Sequence, residues 1–147
     1  MEIISVGLLT LVLLSIASVH VYWGLGGVWP GKDPQSLART VVGGPAGMSP
    51  PPAWACFGVA LALALAAGMV LAFVDVLTLP LPTGWLRWGM VALAVVFLLR
   101  GVGGYFMERL RPSPVGSPFV RLNKRIYSPL CIVLGLLAWT LMRSQNV

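Results

Sequence analysis

The chain has 147 residues, of which 58% are hydrophobic and only 10% are charged. A soluble domain usually carries about 25% charged residues, so this composition excludes an ordinary water-exposed surface and indicates a membrane protein. The formal net charge of +6 is typical of basic loops beside anionic lipid, and it does not by itself indicate nucleic-acid binding.

Four apolar segments follow one another along the chain, at about residues 3–23, 53–74, 85–106 and 128–142. Each is long enough, or nearly so, to cross the hydrocarbon core, which takes roughly 20 helical residues. Each must be helical because lipid offers no hydrogen-bond partner to the backbone. The sequence therefore predicts an all-α fold, a single integral membrane domain over residues 1–147 built as a four-helix bundle.

The loop between the first two predicted spans contains a short helix signal. Asp33-Pro34 is typical of an N-cap followed by proline at the first helical position, and Gly43-Gly44 is typical of a helix end. We therefore expect a helix over residues 34–42, lying at the membrane interface.

The distribution of basic residues predicts the orientation of the bundle. The two long loops share one side of a four-pass chain and carry seven basic residues, whereas the other side carries two, Arg87 and Arg143. Because positively charged loops stay inside, we expect cytoplasmic long loops and external termini in the cell's inner membrane. The seven are Lys32, Arg39, Arg109, Arg111, Arg121, Lys124 and Arg125.

Polar and aromatic residues concentrate at the predicted cytoplasmic end, and these are the candidate ligand-binding residues. An arginine inside a span marks a functional site by default, although a side chain snorkelling to the headgroups is the alternative for Arg100. Depth places His20, the only histidine, in the same layer. We predict that helices one and three touch there, with His20 and Arg100 lining one cavity. The candidates are His20, Tyr22, Trp23, Arg100, Tyr105, Glu108 and Tyr127.

A cationic, aromatic pocket of this kind suits an anionic amphiphile or another lipid-like ligand, which predicts a non-catalytic binding protein. The alternative is a small membrane-embedded enzyme acting on a lipidic or isoprenoid substrate, with His20 as acid or base and Arg100 as anion clamp. The chain has four carboxylates in total, and none lies clearly inside a predicted helix. This scarcity favours the first hypothesis.

Familiar metal and cofactor patterns are missing from the sequence. It has one histidine, no HExxH and no CxxC, so we predict neither a metal site nor a cofactor. The expected partners are membrane lipids and a lipid-like small molecule, without nucleic acid, and a homo-oligomer remains open.

The two halves of the chain contain a similar glycine-rich segment. Gly24-Leu25-Gly26-Gly27 and Gly101-Val102-Gly103-Gly104 each precede a proline-containing loop and a returning helix. The pattern predicts two similar hairpins.

Three short motifs resemble a bacterial four-pass membrane family, domain of unknown function 3995. They are HVYWGLGG at residues 20–27, LRGVG at residues 99–103 and YSPL at residues 127–130. The resemblance implies the four-helix architecture and no activity. Members often carry acidic residues where this chain has Gly104 and Asn123, and these departures count against carboxylate-based chemistry here.

Overall fold

The computed structural model describes residues 2–43, 47–110 and 116–145, apart from the side chains of residue 2 and residues 107–110. Within these ranges all regular secondary structure is helical, which confirms the all-α prediction. The helices are α1 (Glu2–Gly24), α2 (Pro34–Val41), α3 (Ala53–Phe73), α4 (Thr83–Leu110), α5 (Pro118–Leu122) and α6 (Ser128–Ser144), with a π-helical turn at Asn123–Tyr127 between α5 and α6.

Four helical segments are long and apolar enough to cross a membrane, as predicted, so the chain is a multi-pass membrane protein. They are Ile3–Gly24, Ala53–Phe73, Thr83–Phe106 and Pro118–Ser144.

The fourth span begins ten residues before the expected start at Ser128, because the backbone stays helical through the π turn. Ser128 therefore lies within the helical rod and not at its start. Ser128 has helical angles (φ −68°, ψ −47°) inside the rod, and its hydroxyl donates to the side chain of Asn123 instead.

The four spans form a closed ring. The main packing is α1 against α3 and α4 against α6, and smaller contacts between α3 and α4 and between α1 and α6 complete the ring. The remaining pairs, α1 with α4 and α3 with α6, therefore lie on the diagonals of the bundle. Neither diagonal pair packs extensively among the described residues.

The centre of the ring is a layer of large apolar side chains from all four spans. Leu9, Leu13, Val70, Met90 and Leu134 are essentially inaccessible. Lipid tails are as apolar as these side chains, so their contribution to stability comes from close packing rather than from removal of apolar surface from water.

The short loop helix is present where the sequence predicts it. The Ser36 amide donates to Asp33 Oδ1 (2.8 Å), and the Asp33 amide donates to Ser36 Oγ (3.0 Å). This reciprocal capping box starts α2, and Gly43, with φ +82°, follows its end. α2 packs against α5, and a Cβ at Gly43 would overlap the Phe119 ring. We call this side of the bundle the loop end.

Candidate functional site

A compact polar group lies between α4 and the fourth span, near the loop end. Nη1 and Nη2 of Arg100 both donate to Asn123 Oδ1, each at 3.3 Å. Ser128 Oγ donates to the same oxygen at 3.2 Å, and Asn123 Nδ2 donates to the Gly104 carbonyl at 2.7 Å. We call Arg100, Asn123, Ser128 and the Gly104 carbonyl the Arg100 cluster.

The π turn brings the two side chains from the fourth span to one face. At 3.6 residues per turn, positions five apart on an α-helix point about 140° away from each other. In the π turn the Ser128 amide donates to the Asn123 carbonyl, which is the i→i+5 bond of a wider turn. Asn123 and Ser128 can therefore both face α4.

Two glycines on α4 allow the backbones to approach this closely. A Cβ at Gly101 would lie 2.6 Å from Ile132 Cγ1 and 2.9 Å from the Ile132 amide nitrogen. A Cβ at Gly104 would overlap Ser128 Oγ and lie 2.8 Å from Arg100 Nη1. Any side chain at either position would push the cluster or the helices apart.

The electrostatics of the cluster are unbalanced. Asn123 and Ser128 are almost fully buried, with 4% and 0% of their surface exposed, and both are neutral. A guanidinium carries five N–H donors, and two of these point at Asn123 Oδ1. Among the described residues no carboxylate contacts Arg100, whose side chain is exposed. The positive charge therefore lacks a described counter-ion.

The candidates on α1 are bonded within their own segment. His20 Nδ1 donates to the Ile16 carbonyl (2.9 Å), and its ring meets the edge of Trp23 with centroids 5.0 Å apart. The Trp23 indole donates to the Trp29 carbonyl (2.7 Å), and the Trp29 amide donates to the Tyr22 hydroxyl (3.5 Å). Tyr22 and Trp23 thus brace the chain that leaves α1.

The prediction that His20 and Arg100 line one cavity is wrong. It required α1 to touch α4, but α1 packs chiefly on α3, and α4 packs chiefly on α6. The two residues lie on diagonal helices and have different hydrogen-bond partners. The enzyme hypothesis, which needs both side chains at one substrate, loses its geometric basis.

The remaining candidates lie near the same end. The Tyr105 hydroxyl donates to the Lys124 carbonyl (3.3 Å), which ties α4 to the π turn. The Tyr127 ring packs at 6.3 Å from the ring of Phe119. The side chain of Glu108 falls outside the described residues.

A separate cavity of about 80 Å³ lies where α1, α2 and the start of α3 meet, and its lining includes Trp23, Leu37 and the buried thiol of Cys56. It contains neither His20 nor Arg100 in its lining. In the described part of the chain, no group of three His, Cys, Asp or Glu side chains is placed to hold a metal ion.

A family model described as Protein of unknown function (DUF3995) matches residues 13–138, a range that includes the whole Arg100 cluster. No curated protein and no solved structure matches the chain.

Proposed function

The chain belongs to the family of proteins of unknown function DUF3995, and we propose that this member binds an anionic amphiphile through the Arg100 cluster. The ligand is a lipid-like molecule whose negatively charged head pairs with the guanidinium. Binding needs no chemical step.

One observation carries this proposal, namely the way in which Arg100 is bonded. Asn123 Oδ1 accepts from both Nη1 and Nη2, so a single neutral oxygen takes the tip of the guanidinium. No bond from a described residue is seen at the edge formed by the Nε–H and the second Nη2–H, and this edge binds two oxygens of a carboxylate or phosphate at once. The neutral partner orients the arginine without cancelling its charge.

The depth of Arg100 suits the head of an amphiphile. Arg100 lies six residues before Phe106, the last residue of its span, which is roughly 9 Å at the usual helical rise. A bound head at that depth would sit at the boundary between hydrocarbon and headgroups.

We also propose that the loop end faces the cytoplasm, so that the ligand belongs to the inner leaflet of the cell's inner membrane. The basic residues of both long loops support this orientation.

The binding proposal is tested by purifying the protein in detergent and measuring the rise in Tm caused by phosphatidylglycerol, against diacylglycerol with the same chains. The parent should gain stability from the anionic lipid alone. Arg100→Leu should lose this gain, and Arg100→Lys should keep part of it, because lysine retains the charge but lacks the fork. Arg87→Gln is the matched control, since Arg87 is an exposed arginine at the opposite end of the same helix.

A second variant separates charge from fold. Asn123→Asp replaces the neutral acceptor by a carboxylate of nearly the same shape, which would pair with Arg100 and cancel its charge. The variant also loses the donor to the Gly104 carbonyl, so its Tm without lipid is measured beside its response to lipid. We expect an assembled protein whose affinity for phosphatidylglycerol falls by about tenfold or more, equivalent to about 1.4 kcal/mol. An unchanged lipid-induced shift in Arg100→Leu is by itself enough to refute the proposed function.

The orientation is tested by single cysteines at Lys32 and Gln145 in a background with Cys56 and Cys131 replaced by alanine. In intact cells an impermeant thiol reagent should label position 145 and not position 32. Labelling of position 32 alone would reverse the orientation.

A further inference from the structure

We propose that the anion reaches Arg100 sideways from the bilayer, as the phosphate of a lipid headgroup that settles over Gly103. This inference rests on the proposed function and adds to it a chemical class, a route and a further binding residue.

Arg100 lies at the border between two faces of α4. On one side Ala94, Gly101 and Gly104 are buried, and the two glycines lie against the fourth span. On the other side the surface is apolar and open, with Val96 62% exposed and Leu99 67% exposed. An open apolar surface on a membrane span faces lipid, so Arg100 lies at the border between the fourth span and the acyl chains.

Gly103 leaves a gap on this open side, about one helical turn from Arg100. It lies three residues after Arg100, and side chains at this spacing are neighbours on a helix. A Cβ at Gly103 would meet nothing within 4 Å, in contrast to Gly101 and Gly104. Glycine inside a helix costs about 1 kcal/mol relative to alanine, and no contact described at Gly103 offsets that cost. The close approach of a ligand would supply a reason for glycine here.

The surroundings favour a lipid over a dissolved anion. A hydrated phosphate ion would have to leave water and enter a site bordered by Leu99, Val102 and Phe106, all of them exposed apolar side chains of the same span. A lipid brings its phosphate to this depth while its acyl chains pack along Val96 and Leu99. A phosphate diester offers two oxygens to the Nε–Nη2 edge, which is the bidentate arrangement that arginine prefers.

The inference is tested by filling the gap with Gly103→Leu. The control is Gly58→Leu on α3, because Gly58 is exposed on another span and a Cβ there would also meet nothing within 4 Å. The measurement is the rise in Tm with increasing phosphatidylglycerol, with diacylglycerol and inorganic phosphate as separate arms. We expect the parent and Gly58→Leu to respond to phosphatidylglycerol alone, and Gly103→Leu to need at least tenfold more of it while melting like the parent without lipid.

Each other outcome has a definite meaning. A normal response in Gly103→Leu, together with a lost response in Arg100→Leu, would overturn the lateral route and leave the proposed function standing. A response to inorganic phosphate equal to that for the lipid would overturn the lipid source. A normal response in Arg100→Leu would remove both proposals. If Gly103→Leu does not assemble, Gly103→Ala must still weaken the response relative to Gly58→Ala, and equal responses of these two variants would overturn the inference.

Discussion

The first hairpin (α1, α2 and α3) and the second hairpin (α4, α5 and α6) follow one plan but treat their polar residues differently. Each has a long span, a glycine run, a short helix beginning at proline and a returning span. In the second hairpin the short helix continues through the π turn into the returning span. In each, the two spans pack mainly on each other. Such parallel repeats are known in membrane proteins, where an axis along the membrane normal relates the two halves.

The two glycine runs differ in backbone structure. In the first hairpin α1 ends at Gly24, and Gly26 adopts φ +92°. In the second hairpin the run stays inside α4, which continues to Leu110. The backbone at Gly26 accounts for the difference. The Gly27 amide donates to the Tyr22 carbonyl (2.9 Å) and the Gly26 amide donates to the Trp23 carbonyl (3.0 Å), which is the Schellman arrangement that ends a helix at a glycine.

This difference determines where a charge is displayed. The residue just before each glycine run is Trp23 in the first hairpin and Arg100 in the second. Trp23 bonds to a carbonyl six residues away in its own segment, whereas Arg100 reaches across to the fourth span. A polar side chain braces a loop in one case, and in the other it presents a positive charge between two membrane helices. The same architecture thus carries structural bonds in one half and the candidate site in the other.

The largest difference in stability between the hairpins is expected when one hydrogen-bonding side chain is removed from each. Asn123→Leu removes the acceptor of the Arg100 guanidinium and of the buried Ser128 hydroxyl, as well as the side-chain donor to the Gly104 carbonyl, and each buried group left unsatisfied costs about 1–3 kcal/mol. We expect a loss of about 3 kcal/mol in the free energy of unfolding. Trp23→Phe removes a single neutral hydrogen bond and should cost about 1 kcal/mol.

Melting of the two variants in the same detergent measures this difference. Equal Tm losses would mean that the Arg100 cluster contributes no more to stability than the Trp23 brace, and the contrast between the hairpins would then be one of position alone.

The sequence predicted the architecture better than the site. Length and apolarity were enough to locate four spans, because lipid leaves the backbone no alternative to the helix. Asp33 and Pro34 located α2, because capping depends on neighbouring residues only. Arg100 stood out as a charge inside a span.

The hydrogen-bond partners of Arg100 were not predicted, and the reason is geometric. With α-helical spacing, Asn123 and Ser128 fall on different faces, and only the π turn joins them. A serine before a proline is typical of a helix start, but the helix runs through Ser128 and Pro129. The pairing of spans around the ring was not available from sequence either, because an all-round apolar helix does not indicate which neighbour it meets. This ambiguity led to the wrong pairing of His20 with Arg100.

An intermediate effect is expected within the second hairpin itself, where neighbouring glycines face different surroundings. Gly101→Ala would place a methyl group within 2.9 Å of the Ile132 amide nitrogen, a backbone atom that cannot move aside alone. Such overpacking should cost about 1–3 kcal/mol. Gly103→Ala enters open space and should be neutral or gain up to about 1 kcal/mol from helix propensity. A higher Tm for Gly101→Ala than for Gly103→Ala would contradict the close approach of α4 and α6.

The smallest expected effect is on the stability of α2, and it depends on pH. Asp33 caps α2, and the hydrogen bond that it accepts from the Ser36 backbone amide lowers the pKa of its carboxyl below the ordinary value. A lowered pKa in the folded state means that the cap stabilises α2 fully above the unfolded-state pKa of about 3.9. That contribution is lost as the pH falls through the lower folded-state pKa.

Protection of the α2 amides from hydrogen exchange, corrected for the intrinsic rates, should therefore decrease only in acid. In the variant Asp33→Asn the new amide side chain would cap about as well as the carboxylate without titrating, so protection should not change over the same pH range. The α6 amides provide the internal reference, because α6 does not pack extensively against α2 among the described residues. If the α6 amides lost protection in acid as those of α2 do, the acid effect would be global and Asp33 would not be its cause.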